Sequence, residues 1–229
     1  MNAAKNLTSL QSEFWHRRAL SIAVGSMALS APLAFAQTRL RPTPEQQLGP
    51  FYPVVKPFDQ DADLTITAGR SGRPEGQVIH VMGRVLDVRG EPVAGAHIEI
   101  WQANRHGRYT HGSDRNTQPL DPNFEGFGLQ TTDAQGRYHF KTIKPGGYPA
   151  TPDWMRPAHI HFEVSDARNK LVTQMYFDGD PFNDKDRYLQ ASWNKDALIA
   201  KVLPPTKELE ADSLLVPWDI VMPLHVSSA

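Results

Sequence analysis

His159 and His161 lie one residue apart in Ala158-His159-Ile160-His161-Phe162-Glu163-Val164, where apolar and polar residues alternate. On a β-strand this alternation puts Ala158, Ile160, Phe162 and Val164 on one face and His159, His161 and Glu163 on the other. The two histidine α-carbons would then stand about 6.6 Å apart, twice the rise per residue, so both imidazoles can reach one ion. The bland alternative is a pair of hydrogen-bonded histidines on a half-exposed strand, because His-x-His is short enough to arise by chance. A zinc or iron site would add a third histidine or a carboxylate, and Glu163, His97, His106, His111 and His139 are available. Two tyrosines are better placed: Tyr109 in Gly107-Arg108-Tyr109 and Tyr148 in Pro145-Gly146-Gly147-Tyr148-Pro149. Both lie in turns beside strands, where loops carry function. With no cysteine in the chain, disulfides, thiolate metal sites, iron–sulfur clusters and cysteine nucleophiles are excluded.

These side chains need a rigid frame. The 229 residues carry 24 Lys+Arg against 25 Asp+Glu, a mixed and nearly neutral balance with no electrostatic footprint for nucleic acid or an anionic membrane. Arg17-Arg18 followed by the apolar run 19–36, ending Ala34-Phe35-Ala36, reads as a signal peptide; the arginine pair points to the twin-arginine export route. A buried helix or membrane anchor is the competing reading, but Ser21, Gly25, Ser26, Ser30 and Pro32 dilute the run. The expected organisation is therefore a signal segment 1–36, an extended Pro- and Gly-rich arm 37–76, and a single β-sandwich domain 77–229. The mature protein would be periplasmic or secreted, with no membrane attachment. Short strands are expected at 78–88, 96–102, 126–132, 137–142, 158–164, 171–177 and 216–224. Segments 126–132 and 137–142 should form a hairpin across Asp133-Ala134-Gln135-Gly136, and Pro217 and Pro223 mark the last strand as an edge. Only 194–202 reads as a helix. The fold class is mainly β: a mixed, mostly antiparallel β-sandwich with little helix.

Five segments in order complete the pattern. Ile98-Glu99-Ile100-Trp101-Gln102-Ala103-Asn104, Gly107-Arg108-Tyr109, Leu120-Asp121-Pro122-Asn123-Phe124, 142–149 and Arg156-Pro157-Ala158-His159-Ile160-His161-Phe162 resemble the intradiol ring-cleavage dioxygenases, with the protocatechuate 3,4-dioxygenases the nearest branch. The resemblance runs from about residue 75 to 180 and implies one non-haem Fe(III) per chain, held by Tyr109, Tyr148, His159 and His161. It further implies Tyr148 and His161 as axial ligands, with Tyr109, His159 and hydroxide equatorial. The substrate class implied is a catechol, opened with both atoms of O2 to a cis,cis-muconate. Such a ligand set is chemically sensible, because Fe(III), two phenolates and one hydroxide sum to zero charge and can sit in a low-dielectric cavity. A trivalent ion also favours phenolate far below the ordinary tyrosine range.

The same resemblance makes Arg156 the group that stabilises developing negative charge, Gln174 a pocket hydrogen-bonding partner, and Tyr148 the ligand displaced by substrate. Gly49-Pro50-Phe51-Tyr52 resembles a loop bordering the substrate, which makes Gly49, Pro50 and Tyr52 substrate-binding candidates. That loop and all four ligands stand in one chain, so a self-sufficient homo-oligomer is expected. Asp114 is expected near Tyr148, as a proton partner or as a solvated turn residue, and Trp101 as a wall of the metal site. Ala150 replaces the tryptophan usual two places after the axial tyrosine, leaving the preferred ring substituent open. Two other readings remain: a transthyretin-like binding module without turnover, and a two-His-one-carboxylate Fe(II) oxygenase using Glu163.

Overall fold

The computed structural model describes residues 39–57 and 60–223; the expected signal segment lies outside them. Eleven strands form among the described residues: β1 Val78–Leu86, β2 His97–Trp101, β3 Phe127–Thr131, β4 Arg137–Ile143, β5 Tyr148–Thr151, β6 Trp154–Arg156, β7 His159–Ser165, β8 Lys170–Phe177, β9 Ile199–Ala200, β10 Leu214–Pro217 and β11 Ile220–Val221. One sheet is centred on β1, flanked by antiparallel β4 on one side and, in succession, by parallel β10 and β11 on the other. The second runs β3-β2-β7-β8-β9, antiparallel except for the last pair. The inner faces meet in one core. Ile79, Val81 and Val85 of β1 and Tyr138 and Phe140 of β4 share it with Ile98 and Ile100 of β2 and Ile160, Phe162 and Val164 of β7. Apolar residues two apart on each strand bury one face, as the pleat requires, which gives the expected mixed, mostly antiparallel sandwich.

Two local expectations fail for identifiable reasons. Segments 126–132 and 137–142 do not form a hairpin, although the turn closes with Gly136 N–H donating to Asp133 O at 2.9 Å. β3 pairs with β2, and β4 pairs with β1, so the turn carries the chain from one sheet to the other. The expected helix at 194–202 is a 3-10 turn, Lys195–Leu198, leading into β9. Leu198 and Ala200 are buried in the core, and the free edge of β8 captures Ile199–Ala200 by parallel pairing, so tertiary contacts override the helical preference. Among the described residues the α-helix that forms is α1, Arg187–Gln190.

The late strand expected at 216–224 is split into β10 and β11 by Trp218-Asp219, where Trp218 N–H donates to Met82 O at 2.9 Å. Leu224 lies outside the described residues. Close approach here makes Gly83 irreplaceable: a Cβ at this position would stand 1.7 Å from the Trp218 carbonyl oxygen. Gly83→Ala is expected to cost about 3 kcal/mol by forcing β1 and the Trp218 segment apart, measured as a fall in the urea midpoint.

A titratable cluster sits on the outer face of the first sheet. His80 Nδ1 lies 2.8 Å from His139 Nε2, and His80 Nε2 lies 2.6 Å from Glu210 Oε2. Lys141 pairs with Glu210 and stands 3.8 Å from Asp63. Burial, then the neighbouring His80, pushes His139 from 6.5 down to about 4, and burial also lowers His80. A histidine held below its unfolded value contributes stability above that value. The His139 contribution is therefore full above pH 6.5 and lost as pH falls through about 4, worth about 3 kcal/mol. Urea midpoints between pH 7 and 4 should fall accordingly, and His139→Asn should flatten the slope; an equal slope in that variant would contradict the assignment.

Candidate active site

The outer face of the second sheet carries the chemistry. Strand register sets Trp101 beside His161 and His161 beside Gln174, while His159 lies beside Tyr176. His159, His161 and Gln174 are buried although they point away from the core, because the arm covers them. Arm carbonyls accept from β8: Thr173 Oγ1 donates to Pro44 O at 2.8 Å and Gln174 Nε2 to Gln47 O at 2.8 Å.

Two loops deliver the tyrosines. Asn104 anchors the first: its Oδ1 accepts from the His106 and Arg108 backbone N–H groups, and its carbonyl accepts from Gly107 and Gly146. Gln102 ties the exit of β2 to β4, donating to Ile143 O at 2.9 Å and accepting from Thr142 Oγ1 at 2.9 Å. Glycines permit the loops to touch. A Cβ on Gly107, at φ +76°, would lie 2.3 Å from Gly147 O, and one on Gly147 would lie 2.7 Å from Arg156 O. This contact puts Tyr109, Tyr148 and the start of β7 side by side. The β5–β6 hairpin then pairs Tyr148 directly with Arg156.

Tyr109, Tyr148, His159 and His161 converge. Tyr109 Oη lies 3.4 Å from His159 Nε2. Ring centroids are 5.6 Å apart for the two tyrosines, 5.7 Å for Tyr148–His159 and 4.9 Å for the two histidines. His159 Nδ1 bonds to Pro157 O at 2.8 Å; a carbonyl only accepts, so Nδ1 carries the proton and Nε2 offers its lone pair. His161 Nδ1 is buried without a hydrogen-bond partner. Trp101 stacks on this ring at 4.9 Å and 12°.

Electrostatics keep all four groups neutral without an ion. Burial first, then the other phenol, pushes Tyr109 well up; burial also raises Tyr148, against the pull of Arg156. Burial and then Arg156 hold His161 down at about 3 and His159 well below its ordinary value. The Gln47 backbone opposes the shift at His161, though its geometry falls short of a bond to Nδ1. Neutral imidazoles with lone pairs and phenols that only a strong cation can ionise form a donor set suited to a hard trivalent ion. Fe(III) fits these residues. The two-His-one-carboxylate alternative does not: Glu163 pairs with Lys170 at 2.7 Å, and among the described residues no three His, Cys, Asp or Glu side chains gather as a metal site.

Arg156 is buried beside this group. Nε donates to Asp186 Oδ2 at 2.6 Å, and Nη2 donates to Gln174 Oε1 at 2.7 Å and Tyr176 Oη at 3.1 Å. Gly49 packs on His161, its Cβ position 3.0 Å from Cε1. Phe51, not Tyr52, faces the tyrosines, with centroids 4.6 Å from Tyr109 and 6.1 Å from Tyr148. Tyr52 turns away to donate to Glu99 at 2.8 Å and pack edge-on against Trp101. Asp114 bonds the backbone N–H groups of Tyr109 and Asn116 rather than Tyr148, so it fixes the loop that carries Tyr109. A cavity of about 640 Å³ opens on the far side of Phe51, Trp101 and Tyr109, with Phe127, Leu120 and Arg70 around it. Sequence reasoning missed Phe51, Tyr176 and Asp186. Tyr176 was accessible as the next residue on the Gln174 face of β8, whereas no local pattern marked Asp186.

A family profile described as Dioxygenase matches residues 48–223. The protocatechuate 3,4-dioxygenase beta chain of Burkholderia cepacia is 44% identical over 197 residues, covering 83% of this chain and 82% of the relative. The dioxygenase domain of a dioxygenase carbohydrate-binding protein fusion from Streptomyces sp. SirexAA-E superposes with a TM-score of 0.61 at 28% identity, over 80% of this chain and 99% of that one. Catechol 1,2-dioxygenase from Acinetobacter sp. ADP1 gives a TM-score of 0.64 at 26% identity, over 82% of this chain but only 64% of its own length. Shared sequence across the whole sandwich, together with the buried tyrosine and histidine constellation, places this chain in the intradiol ring-cleavage dioxygenase family.

Proposed function

We propose that this enzyme is an Fe(III) dioxygenase that cleaves catecholic rings between the two hydroxylated carbons, using both atoms of O2 and yielding a cis,cis-muconate. The observation that carries the reading is the buried convergence of Tyr109, Tyr148, His159 and His161, with Tyr109 Oη 3.4 Å from His159 Nε2. Fe(III) held by these four would supply the charge that ionises the phenols and the Lewis acidity that binds a catecholate. The protein supplies the remainder. Tyr148 packs edge-on against Tyr109, ring centroids 5.6 Å apart, and burial favours its protonated phenol, so Tyr148 can hold a substrate proton beside the ring site. Arg156, held in place beside the ring site, offers a cation to charge developing on the substrate. Gln174 is fixed by Gln47 and Arg156 and borders the same space. Gly49 packs over His161, with Pro50 beside it exposed, and the arm and Trp101 exclude water, which strengthens every charge interaction inside.

The 44% identity to a protocatechuate enzyme favours a protocatechuate-like substrate, and the exposed Ala150 leaves room beside Tyr148 for other ring substituents. Gly49 meets His161 within one chain, which supports a self-sufficient homo-oligomer. Export to the periplasm or beyond rests on Arg17-Arg18 and Ala34-Phe35-Ala36. The test is oxygen uptake by the iron-loaded enzyme with protocatechuate and catechol under ¹⁸O2. The expected product is a muconate from catechol, or a carboxymuconate from protocatechuate, with two labelled oxygens in its newly formed carboxylates; an extradiol product, or no uptake with either substrate, would overturn the reading.

A further inference from the structure

The loop after β8 holds Arg156 from two directions. Asp186 caps α1, its Oδ1 accepting from the backbone N–H groups of Tyr188 at 3.1 Å and Leu189 at 2.8 Å. Its other oxygen, Oδ2, accepts from Arg156 Nε at 2.6 Å, and Asp186 is fully buried. Two residues on, the Tyr188 ring lies 4.7 Å below the guanidinium carbon. The Tyr176 hydroxyl bridges the group, 3.1 Å from Arg156 Nη2, 3.0 Å from Gln174 Oε1 and 3.4 Å from Asp186 Oδ1. Two corners of the guanidinium are thus committed to protein, and Nη1 donates to no side chain or backbone group among the described residues. A planar fork fixed at Nε and Nη2 presents its third corner in one direction only.

We propose that Asp186 is a positioning residue for ring cleavage, acting through Arg156: it aims the free Nη1 corner and balances the guanidinium charge, so that α1 must be in place for the site to be competent. This rests on the role given to Arg156 above. The charge argument is independent of the aim. An unpaired buried guanidinium beside a metal site would be costly, and a buried pair costs less than either ion alone.

Asp186→Asn separates the two duties of the residue, since asparagine caps a helix as well as aspartate does but carries no charge. The expected result is a kcat lower by about 10–100-fold, the scale for a group that orients another, with iron content, visible spectrum and KM near wild type and a thermal midpoint lowered by the buried guanidinium left without its carboxylate. Arg156→Ala/Asp186→Asn should be no slower than Arg156→Ala alone, because both changes remove one function. In the metal-free protein, the Arg156 Nε–H resonance should exchange slowly with water in the wild type and rapidly in Asp186→Asn. A wild-type kcat in Asp186→Asn, or multiplied losses in the double variant, would overturn the proposal. Should Asp186→Asn not fold, Tyr176→Phe replaces it in the cycle, and multiplied losses there overturn the proposal equally. If Arg156→Ala itself turns over at the wild-type rate, the role of Arg156 fails; if it is slow and Asp186→Asn is not, only the positioning role fails.

Discussion

Tyr109→Phe is expected to weaken and shift the red-brown colour expected of the enzyme once loaded with iron, and to abolish turnover. The colour would come from charge transfer between phenolate and ferric iron, and the variant removes one of two phenol oxygens without changing the ring that packs on Phe51. Neutrality is lost with it. With one phenolate the centre carries an uncompensated positive charge, in surroundings dry enough to push Tyr109 well above its ordinary range and hold His161 at about 3. Stranding a charge there costs several kcal/mol, so iron retention should weaken by about 10³-fold at 1.4 kcal/mol per decade. Metal analysis after dialysis against a chelator, alongside the visible spectrum, measures both effects. A variant that keeps its iron and an unaltered band would remove Tyr109 from the ligand set. His161→Ala should lose iron similarly but leave a cavity beside Trp101, so the phenylalanine variant is the cleaner measurement.

Tyr109 also shows what the sequence made legible. Alternation in 158–164 determined which face of β7 holds the histidines, because a period of two admits only one assignment once Ile160 and Phe162 are in the core. The two tyrosines stood out through the glycines around them, and those glycines prove to be where loop backbones meet. Less was visible where position depends on long-range contact. Whether Phe51 or Tyr52 turns toward Tyr109 and Tyr148 depends on the path of the chain after the turn at Gly49, whose φ is +75°, and neighbouring aromatics in a Pro-rich arm carry no periodicity to decide it. Pairing of β3 with β2 rather than β4 was hidden for a related reason. The turn chemistry of 133–136 is compatible with a hairpin, and only the competing edges of β1 and β2 draw the strands into separate sheets. Asp186 lies 30 residues from Arg156, joined to it by the fold alone.

Arg156→Ala should keep the iron and its colour while losing turnover by about 10²–10³-fold, the scale for removing one preorganised charge donor. The Arg156 side chain bonds Asp186, Gln174 and Tyr176, and none of the four proposed ligands is bonded to its guanidinium, so the metal can remain when it goes. The loss should fall on kcat more than on KM, because the guanidinium meets charge that develops on the substrate during reaction rather than charge present at binding. One complication can be turned into a control. Truncating Arg156 leaves the carboxylate of Asp186 buried and unpaired, which costs about 3–5 kcal/mol of stability, so slow turnover could reflect a loosened protein. Arg156→Ala/Asp186→Asn removes the stranded charge and should recover most of the thermal midpoint without recovering activity. Stability restored and turnover still low would assign the loss to the missing cation; activity that returns with stability would show that Arg156 serves the fold and not the reaction.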